Sequence, residues 1–109
     1  MAYNEELADR VRVTLAGREG ITEKKMFGGM GFMLHGNMCC GVTNDDLMVR
    51  VGADAYDDSL AEPHARLMDF TGRPMKGFVF VSPEGIKDDE SLEHWVGCGA
   101  SFAESLPRK

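Results

Sequence analysis

The amino-acid sequence predicts an α+β domain of two layers, in which helices cover one face of an antiparallel sheet. Three observations predict this class. Apolar residues recur every four positions near the amino terminus, alternate with a period of two through the middle of the chain, and return to helical spacing near the carboxyl terminus. A chain of 109 residues is the size of one domain, so we expect a single domain over residues 1–109.

The first helix is predicted over residues 3–16. Its apolar residues share one face because they are four apart: Tyr3, Leu7, Val11 and Leu15. Asn4 is a favourable N-cap, and Gly17 is a favourable terminator.

A meander of three strands is predicted to follow, at residues 30–34, 38–43 and 47–51. An edge segment at 24–27 is counted into the first strand. Gly36-Asn37 indicates a two-residue hairpin, and the turn at 44–46 begins the third strand. Alternation places Met30, Met38 and Cys40 toward the helices. The side chains expected to face away are Cys39, Met33 and Met48.

A helix, two strands and a last helix are predicted in the second half of the chain. A short helix is predicted over residues 53–61, and Pro63 prevents its continuation. Strands are predicted at 66–70 and 76–82, joined through the turn at 71–74.

The last helix has the strongest pattern in the chain. Its acidic start is at 88–90, and Pro107 marks its end. Gly99 lies on the apolar face, where we expect it to permit close approach to the sheet. The residues of that face are Leu92, Trp95, Val96, Gly99, Phe102, Ala103 and Leu106. The predicted order of elements is α-β-β-β-α-β-β-α.

Three blocks of the sequence together resemble the N-terminal domain of the TfoX/Sxy family, regulators of competence for natural DNA transformation in bacteria. They are Lys-Met-Phe-Gly-Gly-Met-Gly-Phe at 25–32, Met-Asp-Phe-Thr-Gly-Arg-Pro-Met-Lys-Gly-Phe-Val at 68–79, and the helix that bears Trp95. The resemblance covers nearly the whole chain, from the first helix to Leu106.

The resemblance implies a fold like that of secretion chaperones and YjbR-like proteins, and a non-enzymatic role. Members of the family are thought to assist the cyclic-AMP receptor protein at competence promoters. The full regulators carry a second, carboxyl-terminal domain that resembles helix-hairpin-helix modules. This chain stops before that domain would begin, so we expect a stand-alone version of the N-terminal domain.

Charge and composition disfavour several classes of function. The formal net charge is −6, and the basic residues are scattered. Because nucleic-acid binding depends on cations that neutralise phosphates, direct DNA binding is disfavoured. Apolar runs are too short to span a bilayer, no secretory signal is present, and the cysteines suit reduced thiols. We therefore expect a cytoplasmic protein.

No constellation of catalytic, cofactor-binding or metal-binding residues is recognisable. Gly28-Gly29 lacks the Lys-Ser/Thr of a phosphate loop and is interpreted as a structural feature of a strand. His94 and Cys98 have a spacing that can hold a metal, but no Cys-x-x-Cys pair accompanies them. Cys39 has no cation placed beside it by the sequence. We expect no catalytic residue, no cofactor and no metal.

The densest polar group near turns is His64, Arg66, Asp69, Arg73 and Lys76. One alternative is a small-molecule site or a small enzyme in which His64 and Asp69 act together. The simpler interpretation is that Asp69 pairs with Arg66 or Arg73 at a strand end.

A protein partner is the leading functional expectation, with a homodimer as one form. If Met33 and Met48 line an exposed sheet face, that face is an apolar patch that needs a partner, and flexible methionines suit adaptable contacts. The expected partner surface consists of Met33, Met48, Arg66, Asp69, Arg73, Met75 and Lys76.

Overall fold

The computed structural model of the chain describes residues 3–26, 29–70 and 73–107, with the backbone alone at residues 26, 67–70 and 73–76. In chain order its elements are α1 (Glu5–Leu15), β1 (Ile21–Met26), β2 (Gly29–Leu34), β3 (Asn37–Thr43), β4 (Asp46–Arg50), α2 (Tyr56–Leu60), β5 (Ala65–Phe70), β6 (Arg73–Val81), a 3-10 turn (Pro83–Ile86) and α3 (Asp89–Glu104). The predicted α+β class is confirmed.

The strands form one antiparallel sheet in the spatial order β1-β2-β3-β4-β6-β5. The segment that was counted into the first predicted strand is a strand of its own, because β1 pairs with β2 from Ile21 opposite Leu34 to Met26 opposite Gly29. Residues 22–25 are exposed at this edge. Three of these four residues are charged, which discourages pairing with another strand.

Helix α1 begins at the predicted cap. The side chain of Asn4 accepts a hydrogen bond from the backbone N–H of Leu7 at 3.1 Å, which satisfies one of the donors left open at a helix start. The inward residues are Leu7, Ala8, Val11 and Leu15. Val13, which is 76% exposed, lies on the opposite side of the helix.

Helix α3 is capped in the same way and lies against the sheet. The Asp88 carboxylate accepts a hydrogen bond from the backbone N–H of Ser91 at 3.1 Å. Hydrogen bonds from Ser91 lower the pKa of Asp88. Further along, a Cβ atom placed on Gly99 would lie 2.3 Å from the carbonyl oxygen of Cys39. The expected close approach of Gly99 to the sheet is therefore confirmed.

One core lies between the sheet and the helices, and all three helices contribute to it. Trp95 of α3 and Tyr56 of α2 pack into it with Phe32 and the valines of the central strands. In the described ranges no helix has both the length and the apolar character needed to cross a membrane.

A β-bulge in β3 changes the predicted orientation of its residues. Phe32 pairs with Cys40, but the next residue, Met33, pairs with Met38, so Cys39 is an extra residue on β3. Cys39 consequently joins Cys40 in the helix-side core, whereas Met38 packs with Met33 on the other side. The predictions that Met38 faces the helices and that Cys39 faces away are therefore wrong.

Candidate partner-binding surface

The sheet face turned away from the helices, here called the outer face, carries an apolar cluster. Its members are Met33, Met38, Met48, Phe78 and Phe80. The register explains why they meet, since Met48 lies opposite Phe80 and Met33 lies opposite Met38. The expectation that Met33 and Met48 share a face is met by this arrangement.

The side chains at the centre of the outer face are buried, and those at its margin are partly exposed to solvent. Met48 is 2% exposed, Phe80 8% and Met38 9%, whereas Met33 and Phe78 are half-buried. The exposed apolar area is therefore smaller than the sequence predicted, and it lies at the margin of the outer face. Among the described residues, the large hydrophobic side chain that is mostly exposed is Val13, on α1.

Glycines allow Met48 to lie flat on the sheet. Met48 pairs with Gly41, and Gly41 pairs with Gly31, so two neighbouring positions on the outer face have no side chain. A Cβ on Gly41 would be 2.8 Å from the terminal methyl group of Met48. The buried methionine thus covers bare backbone on its own sheet.

Arginine side chains lie over the aromatic rings of the outer face. The guanidinium carbon of Arg50 is 5.7 Å from the ring centre of Phe78, and that of Arg66 is 5.0 Å from the ring centre of Phe80. Arg66 also pairs with Asp46 of β4 at 2.6 Å. Cation–π contacts of this kind contribute about 0.5–1 kcal/mol at exposed sites. Asp46 offsets the charge of Arg66, and the guanidinium carbon of Arg50 is also 5.2 Å from the ring centre of Phe102 of α3. The outer face therefore combines apolar contact area with arginine side chains at its margin, one of them paired with a carboxylate.

The structure brings together part of the surface predicted from the sequence. Met33, Met48 and Arg66 share the outer face. The remaining predicted residues lie in β5 and β6, and their side chains are outside the described part of the chain: Asp69, Arg73, Met75 and Lys76.

Sequence reasoning missed Met38, Arg50, Phe78 and Phe80 as members of this surface. The alternation of Phe78 and Phe80 with Val79 and Val81 contained the signal for two of them. Arg50 follows Met48 by two residues, so the same alternation predicts that it lies on this face. The orientation of Met38 was not predictable, because no residue pattern indicates the bulge.

His64 lies away from the outer face, in a polar cleft. It directly precedes β5, and it lines a cleft of about 660 Å³ together with His94, Glu62 and Asp88. Asp69 is five residues further along, which corresponds to roughly 16 Å of extended strand. The structure thus places His64 and His94 in the lining of one cleft, while the side chain of Asp69 is outside the described residues.

His94 and Cys98, the pair with metal-binding spacing, lie beside Glu62. The Nε2 atom of His94 is 3.8 Å from the Oε1 atom of Glu62. Partial burial and the negative charge of Glu62 raise the pKa of the Cys98 thiol. Within the ranges that the structure describes, no three His, Cys, Asp or Glu side chains are arranged to hold a metal ion. Gly29 belongs to β2, and Gly28 is outside the described residues.

Comparison with family models matches residues 14–103 to the TfoX N-terminal domain. The match begins near the end of α1 and ends within α3, so it includes the whole sheet. No curated protein matches the chain significantly.

Proposed function

Because the chain belongs to the TfoX N-terminal domain family, we propose that it is a non-enzymatic regulatory module that binds a protein partner through its outer face. The observation that carries this proposal is the composition of that face, in which arginine side chains lie over the rings of an apolar cluster of methionines and phenylalanines. We assign the module to the cytoplasm, where three thiols in such a short chain would stay reduced.

The composition of the outer face differs from that of an ordinary solvated sheet face. An antiparallel sheet with one wet face usually alternates apolar residues inward with polar residues outward. Here the central strands carry Met48, Phe78 and Phe80 on the side without packed helices. Methionine, arginine and aromatic residues are the types enriched at protein interfaces.

Two further features favour a face-on contact. The edge strand β1 has charged, exposed residues at 23–25, which disfavours the addition of a partner strand there. Met33 and Phe78 are half-buried, so each leaves apolar surface that a partner can cover. A second copy of the chain is one such partner, and a different protein is the other.

Photo-crosslinking in the native host tests the proposal. We expect a crosslinking amino acid at position 33 to give a discrete adduct, because a bound partner would lie on the margin of the outer face. The same amino acid at position 13 is the matched control, since Val13 is 76% exposed on the opposite layer. Mass spectrometry of the adduct distinguishes a second copy from another protein. Equal adducts from both positions, or none from position 33, would contradict the proposal.

A small-molecule ligand beside His64 is the second candidate function. Four carboxylates and two imidazoles line the cleft, so the cleft favours a cationic ligand. In a thermal-shift screen of amines, a true ligand raises the Tm of the wild-type chain, and His64→Ala removes the shift. Asp69→Ala is the control, because its position at the far end of β5 predicts an unchanged shift. If no amine stabilises the chain, this candidate is rejected.

A further inference from the structure

Two adjacent cysteine side chains lie side by side, which a regular strand does not allow. Successive side chains of a β-strand point to opposite faces. The bulge places both Cys39 and Cys40 on the helix side of β3, where the Sγ atoms of the two residues are in contact at 3.9 Å. Both residues are fully buried, so an oxidant reaches them only when the fold opens locally. The backbone irregularity thus creates a vicinal dithiol.

The surroundings give the two thiols different acidity. The contact with Cys40 and the positive charge of Arg18 lower the pKa of Cys39, against burial and the charge of Glu104. The contact with Cys39 and complete burial raise the pKa of Cys40. Arg18 is held near this site by an ion pair with Glu104 at 2.6 Å. Cys39 is therefore the group that ionises first, and the thiolate is the reactive form of cysteine.

We propose that Cys39 and Cys40 are an oxidation site, at which hydrogen peroxide converts the vicinal dithiol into a disulfide between neighbouring residues. The Cys39 thiolate attacks the peroxide, the O–O bond breaks, and hydroxide leaves and is protonated to water. The resulting Cys39 sulfenic acid is attacked by the sulfur of Cys40, which loses its proton, and the S–O bond breaks to release a second water. Two electrons from the dithiol thus reduce one peroxide.

The position of the bulge couples this chemistry to both layers of the domain. The carbonyl of Cys39 faces Gly99 of α3 at close range, so closing an S–S bond at about 2.05 Å displaces backbone that touches the last helix. The preceding residue, Met38, belongs to the outer-face cluster. Oxidation therefore perturbs the outer face, while the oxidation site itself does not depend on the proposed partner.

Mass spectrometry of the full chain carrying Cys98→Ser tests the site. The folded chain is treated with hydrogen peroxide, denatured in acid, alkylated with N-ethylmaleimide and digested with trypsin. Cys39 and Cys40 fall in one tryptic peptide, between Lys25 and Arg50. We expect this peptide to become lighter by two hydrogen atoms and to lose both maleimide groups, and dithiothreitol treatment before alkylation to restore both.

Three other results would overturn the proposal. They are full alkylation of the peptide after peroxide treatment, sulfinic acid at Cys39 without loss of the second thiol, and a disulfide that joins two chains. Cys40→Ser in the same background supplies an independent readout, because the sulfenic acid at Cys39 then lacks its neighbour and should be trapped by dimedone. Absence of that adduct from the folded variant would also count against the mechanism, and if the variant does not fold, the disulfide measurement on the Cys98→Ser chain decides alone.

Discussion

Gly99→Ala should destabilise the domain by about 2 kcal/mol, although alanine is the better helix former. The added Cβ would lie 2.3 Å from the carbonyl oxygen of Cys39 and 3.1 Å from its carbonyl carbon. Both are backbone atoms of the bulge, so they move only if the strand or the helix shifts. Overpacking typically costs about 1–3 kcal/mol, and a contact this close belongs at the upper end. The helix gain of about 1 kcal/mol offsets part of the cost.

Gly97→Ala on the same helix is the matched control. A Cβ atom on Gly97 would have no heavy atom of the described residues within 4 Å. The free energy of unfolding of the Gly97→Ala variant should therefore rise by up to about 1 kcal/mol, from helix propensity alone. Urea denaturation of both variants measures the two free energies of unfolding. Changes of the same sign would show that α3 does not contact β3 as the structure has it.

Met48→Ala should reduce the free energy of unfolding by about 2–4 kcal/mol, as expected for deletion of a buried methionine. Met48 is 2% exposed and covers the bare backbone of Gly41. Its loss therefore opens a cavity in the centre of the outer face. The Arg66 guanidinium reaches this strand but is paired with Asp46 and lies over Phe80, so filling the vacated space would break both contacts.

Met33→Ala is the control on the same face. Met33 is half-buried at the margin of the outer face, so its truncation should cost well under the value for Met48, about 1 kcal/mol. Chemical denaturation of the pair measures the difference. Equal losses in the free energy of unfolding would show that the side chains at the centre and at the margin of the outer face are packed to the same extent. The expected result would identify Met33 as a residue that can be changed at a partner surface without unfolding the domain.

Local signals in the sequence were sufficient for the helices. Asn4 caps α1, the four-residue spacing found Leu7, Val11 and Leu15 on its buried side, and Gly99 was recognised as a point of close approach. These signals are short-range, because a helix satisfies its hydrogen bonds within one segment and its period is visible in a window of about 11–18 residues.

The outer face was only partly predictable. Alternation placed Met33 and Met48 on one side of the sheet, which the cluster on that face reproduces. Their exposure was not predictable, because the burial of Met48 depends on Gly31 and Gly41, which lie on two other strands. The partner of Arg66 was also unpredictable, since Asp46 is twenty residues away in the chain.

By itself, the sequence determined the α+β class, the buried faces of α1 and α3, and the family to which residues 14–103 belong. Only the tertiary structure decided the register of β3 against β2. The physical reason is that a one-residue bulge costs little locally but reverses every side chain on one side of it. That single residue moved Met38 to the outer face and brought the sulfur atoms of Cys39 and Cys40 together.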